Sequence, residues 1–255
     1  MKNDYGISVY TLWPSLAFCT RTQPMEFSKF CRKMAVLAGF FLCMLFSNQC
    51  IKKTDNKEIF RDKFDRSNSS TLGSDWTINM PSVGTLFTIN GNMAKPLGGS
   101  GTTEVTVPSA LYNQKVKGSF KASAKFVISG GDYESLGYII ARSAASDVPT
   151  DGYLCGYYYS LGTTSPKKYY FSLRKVSSGT VTSIADVAMH QLTSGKSDTI
   201  TFTVDNSTLK CEISGNSTIG ISITDSSFGD GYTGLLGGGN NSQYLFFDDF
   251  LTEKL

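Results

Sequence analysis

From residue 60 onward the chain alternates apolar and polar residues with a period of two, in runs that recur at roughly 10–15-residue intervals. The pattern is plain in FKASAKFVIS (120–129), SLGYIIARS (135–143), YYFSLRKV (169–176), DTITFTVD (198–205) and TLKCEIS (208–214). Successive side chains of a strand point to opposite faces, so a chain patterned this way must build sheets with one dry and one wet face. In TLKCEIS, Leu209, Cys211 and Ile213 share one face, and Lys210, Glu212 and Ser214 share the other. This predicts a half-buried strand. Helical periodicity is almost absent from the same region.

Between the runs stand GGSG (98–101), SGGD (129–132), DNST (205–208), SGNST (214–218) and GGGNN (237–241). Gly supplies positive φ and Asn, Asp and Ser supply side-chain turn bonds, so these stretches are predicted as hairpin tips and loops. About a dozen antiparallel strands without helices leave a sandwich, a jelly roll or a barrel. Regular alternation and length favour an all-β, two-sheet antiparallel sandwich spanning residues 60–255.

The N-terminal part has a different grammar. Lys29, Arg32 and Lys33 precede an apolar run from Met34 to Phe46, and no acidic residue occurs between Glu26 and Asp55. About 13 apolar residues fall short of the roughly 20 that a spanning helix needs, which favours a signal helix over a permanent anchor. Residues 25–49 then form the signal peptide. Residues 1–24 carry Asp4, Pro14 and Pro24 and no long apolar run, so they are either an extension from a mis-called upstream start or an extended n-region. The mature protein is the same in both cases. Asn48 and Gln49 are poor residues for a signal-peptidase I cut, whereas Phe46-Ser47-Asn48-Gln49-Cys50 resembles the relaxed lipobox of spirochaetal lipoproteins. That resemblance implies lipid on the Cys50 thiol, residues 50–59 as a tether, and a location on the bacterial outer membrane or cell surface. Several acyl chains together make a stable anchor.

The net charge is +3 for the whole chain, and the signal region carries part of that excess, so nothing points to a nucleic-acid partner. With Cys50 lipidated, only Cys155 and Cys211 remain beyond the signal. An exported chain permits them to pair, and spacing alone leaves open a disulfide or two buried thiols.

The two ends of the domain carry motifs. IFRDKFDRSNSSTLGSDWTI (59–78) contains Asp-x-Phe-x-Arg followed by Leu-Gly-x-x-Trp. TDSSFGDGYTGLLGGGNNSQYLFFDDFLTEKL (224–255) contains an Asp-Ser-Ser turn, Gly-x-x-Gly-Leu and a last strand with Asp-Asp-Phe. Both ends resemble concanavalin A-like lectin/glucanase (laminin-G-like) jelly-roll domains, and GYIIARS (137–143), GYLCGYYY (152–159) and STLKCEISG (207–215) fall between them in the order that fold implies. The resemblance implies a two-sheet antiparallel jelly-roll sandwich, paired first and last strands, and a structural calcium ion held near Asp62 and Asp249. Two or three carboxylates with carbonyls and water would meet the six to eight oxygens calcium takes. Consecutive strand residues point oppositely, so only one of Asp248 and Asp249 would face the ion, and Asp249 is preferred. The alternative is a solvated Asp beside one paired with Lys63 or Arg61.

No catalytic set is assigned. His190 is the sole histidine, and no Gly-x-Ser-x-Gly motif follows Cys50. Zinc catalysis wants a cluster of His or Cys that the mature chain does not offer. Glucanases of the resembling fold use a Glu-x-Asp-x-Glu strand, in which alternate residues reach one sugar. Here no two of Glu58, Glu104, Glu134, Glu212 and Glu253 lie within four positions, and Asp132 with Glu134 is the acidic pair at the i, i+2 spacing. The binding signal is aromatic: Tyr153, Tyr157, Tyr158, Tyr159, Tyr169, Tyr170 and Phe171. Half should face the core and the rest a surface where rings stack on sugar faces. Tyr157 and Tyr159 are the candidate contacts, with Asn240 and Asn241 as amide partners. These features favour a membrane-anchored, non-catalytic recognition lipoprotein for carbohydrate or an extracellular glycoprotein. A glycoside hydrolase with an unrecognised carboxylate pair and a structural envelope lipoprotein are the alternatives.

Overall fold

The computed structural model describes residues 57–255, apart from 81–85, 99–106, 130–134, 147–149, 161–167, 190–194, 196, 215–218 and 240–243. Side chains at 129, 159, 160, 168, 169, 188, 189, 239 and 244 also fall outside the description. The signal segment 25–49 and Cys50 therefore lie outside the described residues. The compact unit is Asn56–Leu255, and its first strand begins at Glu58, inside the stretch expected to be tether.

Among the described residues fifteen strands form two sheets: β1 Glu58–Asp62, β2 Trp76–Asn79, β3 Leu86–Ile89, β4 Ala94–Leu97, β5 Ser109–Tyr112, β6 Phe120–Ser129, β7 Ser135–Ser143, β8 Gly152–Ser160, β9 Lys168–Ser177, β10 Thr180–Met189, β11 Ser197–Asp205, β12 Thr208–Ile213, β13 Gly220–Thr224, β14 Tyr232–Gly239 and β15 Tyr244–Lys254. One sheet runs β13-β12-β11-β6-β15-β4-β3, with β1 also on β15. The other runs β10-β9-β8-β7-β14-β5-β2. All the pairs are antiparallel, so the two-sheet sandwich is the architecture.

Alternation places the core. In β12 the order is exposed Thr208, buried Leu209, exposed Lys210, buried Cys211, half-buried Glu212, buried Ile213. Phe120, Ala122, Ala124, Phe126, Ile200, Phe202 and Val204 meet Ile139, Ala141, Tyr153, Tyr157, Phe171 and Leu173 from the opposite sheet. Cys155 of β8 and Cys211 of β12 form a disulfide with Cα atoms 5.7 Å apart, which ties one sheet to the other through the core. The Asp205–Thr208 hairpin turns through Asn206 at φ 52, as its turn chemistry predicts.

GGGNN departs from its expected role as a loop. Gly237, Gly238 and Gly239 end strand β14, and a Cβ on Gly237 would stand 2.8 Å from the Phe247 ring. Here glycine serves the close approach of the two sheets rather than a turn. The last strand also departs from simple alternation. Its register shifts between Asp248 and Leu251, and Asp249 takes φ 49. This bulge leaves Asp248 half-buried and Asp249 exposed while Phe250 turns into the core against Trp76, 5.3 Å between ring centroids.

Candidate functional site

The two outer faces of the sandwich differ in chemistry. On the eight-stranded sheet the outward positions carry paired charges: across strands Lys121 with Glu253 at 2.9 Å and Lys125 with Asp248 at 3.4 Å, and along β12 Lys210 with Glu212 at 2.8 Å. Such exposed pairs contribute little to stability and mark an ordinary solvated face. On the seven-stranded sheet many of the positions that point away from the core are apolar instead, and these are buried. Leu111, Leu136, Tyr138, Ile140, Leu154 and Leu236 form a second cluster, separate from the core between the sheets. Half-buried Tyr158, Val181 and Tyr232 pack against it.

At one side of this cluster lies an aromatic and polar group. Tyr158 and Tyr170 are cross-strand partners between β8 and β9, and their rings stack with centroids 5.3 Å apart and planes 23° from parallel. The Arg174 guanidinium lies over the Tyr158 ring, 3.6 Å from its centroid. Arg174 Nε donates to Ser172 Oγ at 3.0 Å, and Ser172 Oγ donates to the exposed Asp186 carboxylate on β10. Beside Ser172 the cross-strand position is Gly156, and beyond it stands Tyr138. Half-buried rings, a guanidinium and a carboxylate thus share one sheet face. That set offers apolar planes for stacking together with hydrogen-bond donors and acceptors.

Tyr157 is placed elsewhere. It is fully buried in the core, and its hydroxyl donates to Asp198 Oδ2 at 2.9 Å. Burial and the neighbouring carboxylate push that hydroxyl far above its ordinary range. The correction follows from parity: Cys155 points inward to its disulfide, so Tyr153 and Tyr157 do too, and the even-numbered Tyr158 points outward. Tyr157, expected from the sequence as a ligand contact, therefore packs in the core. Had the Cys155–Cys211 pair been taken as fixed, it would have set the facing of every residue in β8.

Tyr153, the other inward tyrosine, donates to Asp225 Oδ1 at 2.6 Å, and Lys175 Nζ reaches Asp225 Oδ2 at 3.1 Å. Burial and the bond to Asp225 push the Tyr153 hydroxyl up to about 12. Burial works against the charged form of Asp225, but bonds from Ser227, Tyr153 and Lys175 outweigh it and hold the carboxyl below its usual range. The Asp-Ser-Ser turn is therefore a structural latch.

The proposed calcium pair does not fit a metal. Asp62 accepts bonds from Phe64 N at 2.8 Å, Arg66 Nη1 at 2.7 Å, Arg66 Nη2 at 3.0 Å and Trp76 Nε1 at 2.8 Å. Its oxygens already face positive donors. Burial opposes its charge, and the bonds from Arg66, Trp76 and Phe64 prevail, keeping the carboxyl below its usual range. Asp249 is exposed and lies 3.7 Å from Arg61 Nε. Among the described residues no group of three or more His, Cys, Asp or Glu could hold a metal ion. Asp132, Glu134, His190, Asn240 and Asn241 lie outside the described residues, as does the side chain of Tyr159.

No protein-family model matches the sequence, and no curated protein matches it. Solved structures do match in fold. The VIP36 exoplasmic/lumenal domain in its Ca2+/Man3GlcNAc-bound form is similar with a TM-score of 0.54 and 11% identity, over 76% of this chain and 90% of that one. LamAcat from Zobellia galactanivorans is similar with a TM-score of 0.51 and 12% identity, over 78% and 98% of the two chains. The carbohydrate binding module CBM66 from Bacillus subtilis gives a TM-score of 0.50 and 16% identity, over 72% and 98%. At such identities the likeness speaks for architecture alone: an all-β, two-sheet antiparallel sandwich, which these structures share.

Proposed function

We propose that this protein is a membrane-anchored, non-catalytic recognition lipoprotein whose sandwich binds carbohydrate on the outer face of the seven-stranded sheet, at Tyr158, Tyr170 and Arg174. The observation that carries this reading is the half-buried, stacked tyrosine pair with Arg174 beside the buried apolar cluster of this face, where the opposite face carries ion pairs. Sugar C–H faces pack on aromatic rings, while Arg174, Ser172 and Asp186 supply donors and acceptors for sugar hydroxyls. Two of the similar structures are a carbohydrate binding module and a Man3GlcNAc-bound domain, which supports the same ligand class. The anchor rests on the signal grammar and lipobox-like residues before Cys50, and the buried disulfide supports export to an oxidising compartment.

The test is an array of glycans and extracellular glycoproteins probed with the purified protein. Saturable binding is expected. Replacing both Tyr158 and Tyr170 by Ala should weaken it about tenfold or more, the loss of roughly 1.4 kcal/mol of stacking, with the thermal midpoint nearly unchanged. Equal binding by the double variant would move the site elsewhere. Silence across the array would overturn carbohydrate recognition. For the anchor, mass spectrometry of membrane-extracted protein should show an acylated N-terminal Cys50, and a chain still carrying Gln49 before an unmodified Cys50 would refute it.

A further inference from the structure

We propose that the Arg66 guanidinium is the built-in structural cation at the domain's paired termini, standing where the jelly-roll resemblance called for calcium. Calcium wants six to eight oxygens around it. The oxygens that converge here are the two of Asp62 and the carbonyl of Leu72, and all three accept N–H groups of Arg66: Nη1 to Asp62 Oδ1 at 2.7 Å, Nη2 to Asp62 Oδ2 at 3.0 Å and Nη2 to Leu72 O at 2.5 Å. A planar fork matching a carboxylate edge gives two parallel charge-assisted bonds, which an ammonium or a spherical ion cannot reproduce. The remaining lone pairs of Asp62 take Trp76 Nε1 and Phe64 N. A metal at this carboxylate would meet the positive ends of four N–H groups.

The arrangement is built rather than incidental. Phe64 is fully buried and holds φ 54, a left-handed conformation costly for a bulky residue, and the Asp62 bond to its amide helps hold it there. The Arg66 amide returns a bond to Phe64 O at 2.8 Å, and the guanidinium lies 5.6 Å from the Phe64 ring centroid. Asp62 ends β1, in the eight-stranded sheet, and Trp76 begins β2, in the seven-stranded sheet. The Asp62 carboxylate therefore links the two sheets where the chain enters the fold, and Arg66 neutralises and orients it. Asp-x-Phe-x-Arg and the Leu and Trp of Leu-Gly-x-x-Trp make one network.

Thermal unfolding of the purified protein, with calcium and with chelator, tests this. The wild-type midpoint should be the same in both. Arg66→Met should lower it by about 5–10 °C because it leaves the Asp62 charge half-buried and without its partner. Arg66→Lys, which keeps the charge and loses the fork, should fall between and serves if the Met variant does not fold. Asp62→Asn combined with Arg66→Met should lower the midpoint by clearly less than the two single effects added, since neither partner is left stranded. Two results would overturn the proposal: a calcium-dependent rise in the wild-type midpoint that Asp62→Asn abolishes, or strict additivity of the two substitutions.

Discussion

At the scale of single residues, the polar groups in this core are there to close it. Tyr153 reaches Asp225 and Tyr157 reaches Asp198, each spanning from the seven-stranded sheet to a carboxylate beyond it. Losing the Tyr153 hydroxyl leaves a mostly buried carboxylate short of one donor, so Tyr153→Phe should cost about 2 kcal/mol, measurable by denaturant unfolding. The pH dependence has a definite sign. The folded Asp225 carboxyl titrates below its unfolded value of about 4, so its contribution is complete above that pH and is lost as pH falls further. The gap in melting temperature between wild type and Asp225→Asn should therefore narrow below about pH 4. For Tyr153 the folded value of about 12 exceeds the unfolded value of about 10, so its share is full below pH 10 and fades between the two. Tyr153→Phe should flatten the alkaline limb of a stability profile over that window. None of these partners was legible in the sequence, because each is brought close by the packing of one sheet on the other, across more than 40 positions of the chain.

Among the elements, β14 and β15 show how one residue type carries opposite meanings. Glycine between apolar runs signals a turn, and Asn206 with its neighbours obeys that grammar. Gly237 does not, because it faces Phe247 across the sheets at a distance no side chain could share. Gly234 is alike: a Cβ there would stand 2.1 Å from the Ala110 carbonyl oxygen of β5. Gly237→Val should destabilise by about 1–3 kcal/mol through displacement of Phe247, which Phe87 and Phe126 hold in place, and urea unfolding would show it. Phe250 is placed by the bulge at Asp249, a local change of register that alternation cannot foretell. By contrast, the strands β6, β7, β11 and β12 run within a residue of the predicted limits, since each buries one face and exposes the other or lies wholly inside.

For the molecule as a whole, the disulfide joins strands from different sheets across a loop of 56 positions. Closing a loop of that length restricts the unfolded chain by about 4 kcal/mol in the chain-entropy view. The double substitution Cys155→Ala and Cys211→Ala should lower stability by about that amount, and reductant should have the same effect on the wild type once the core opens. Unfolding measured with and without reductant checks both. Period two, turn residues and the absence of helical pattern were enough to specify an all-β fold and to favour a sandwich, because the alternation of a strand is a property of neighbouring residues alone. Which tyrosine faces outward, which carboxylate meets a guanidinium instead of a metal, and which sheet carries a second buried apolar cluster were decided only in three dimensions. Those outcomes depend on strand register, bulges and the partner sheet, and all three join residues that the chain itself keeps far apart.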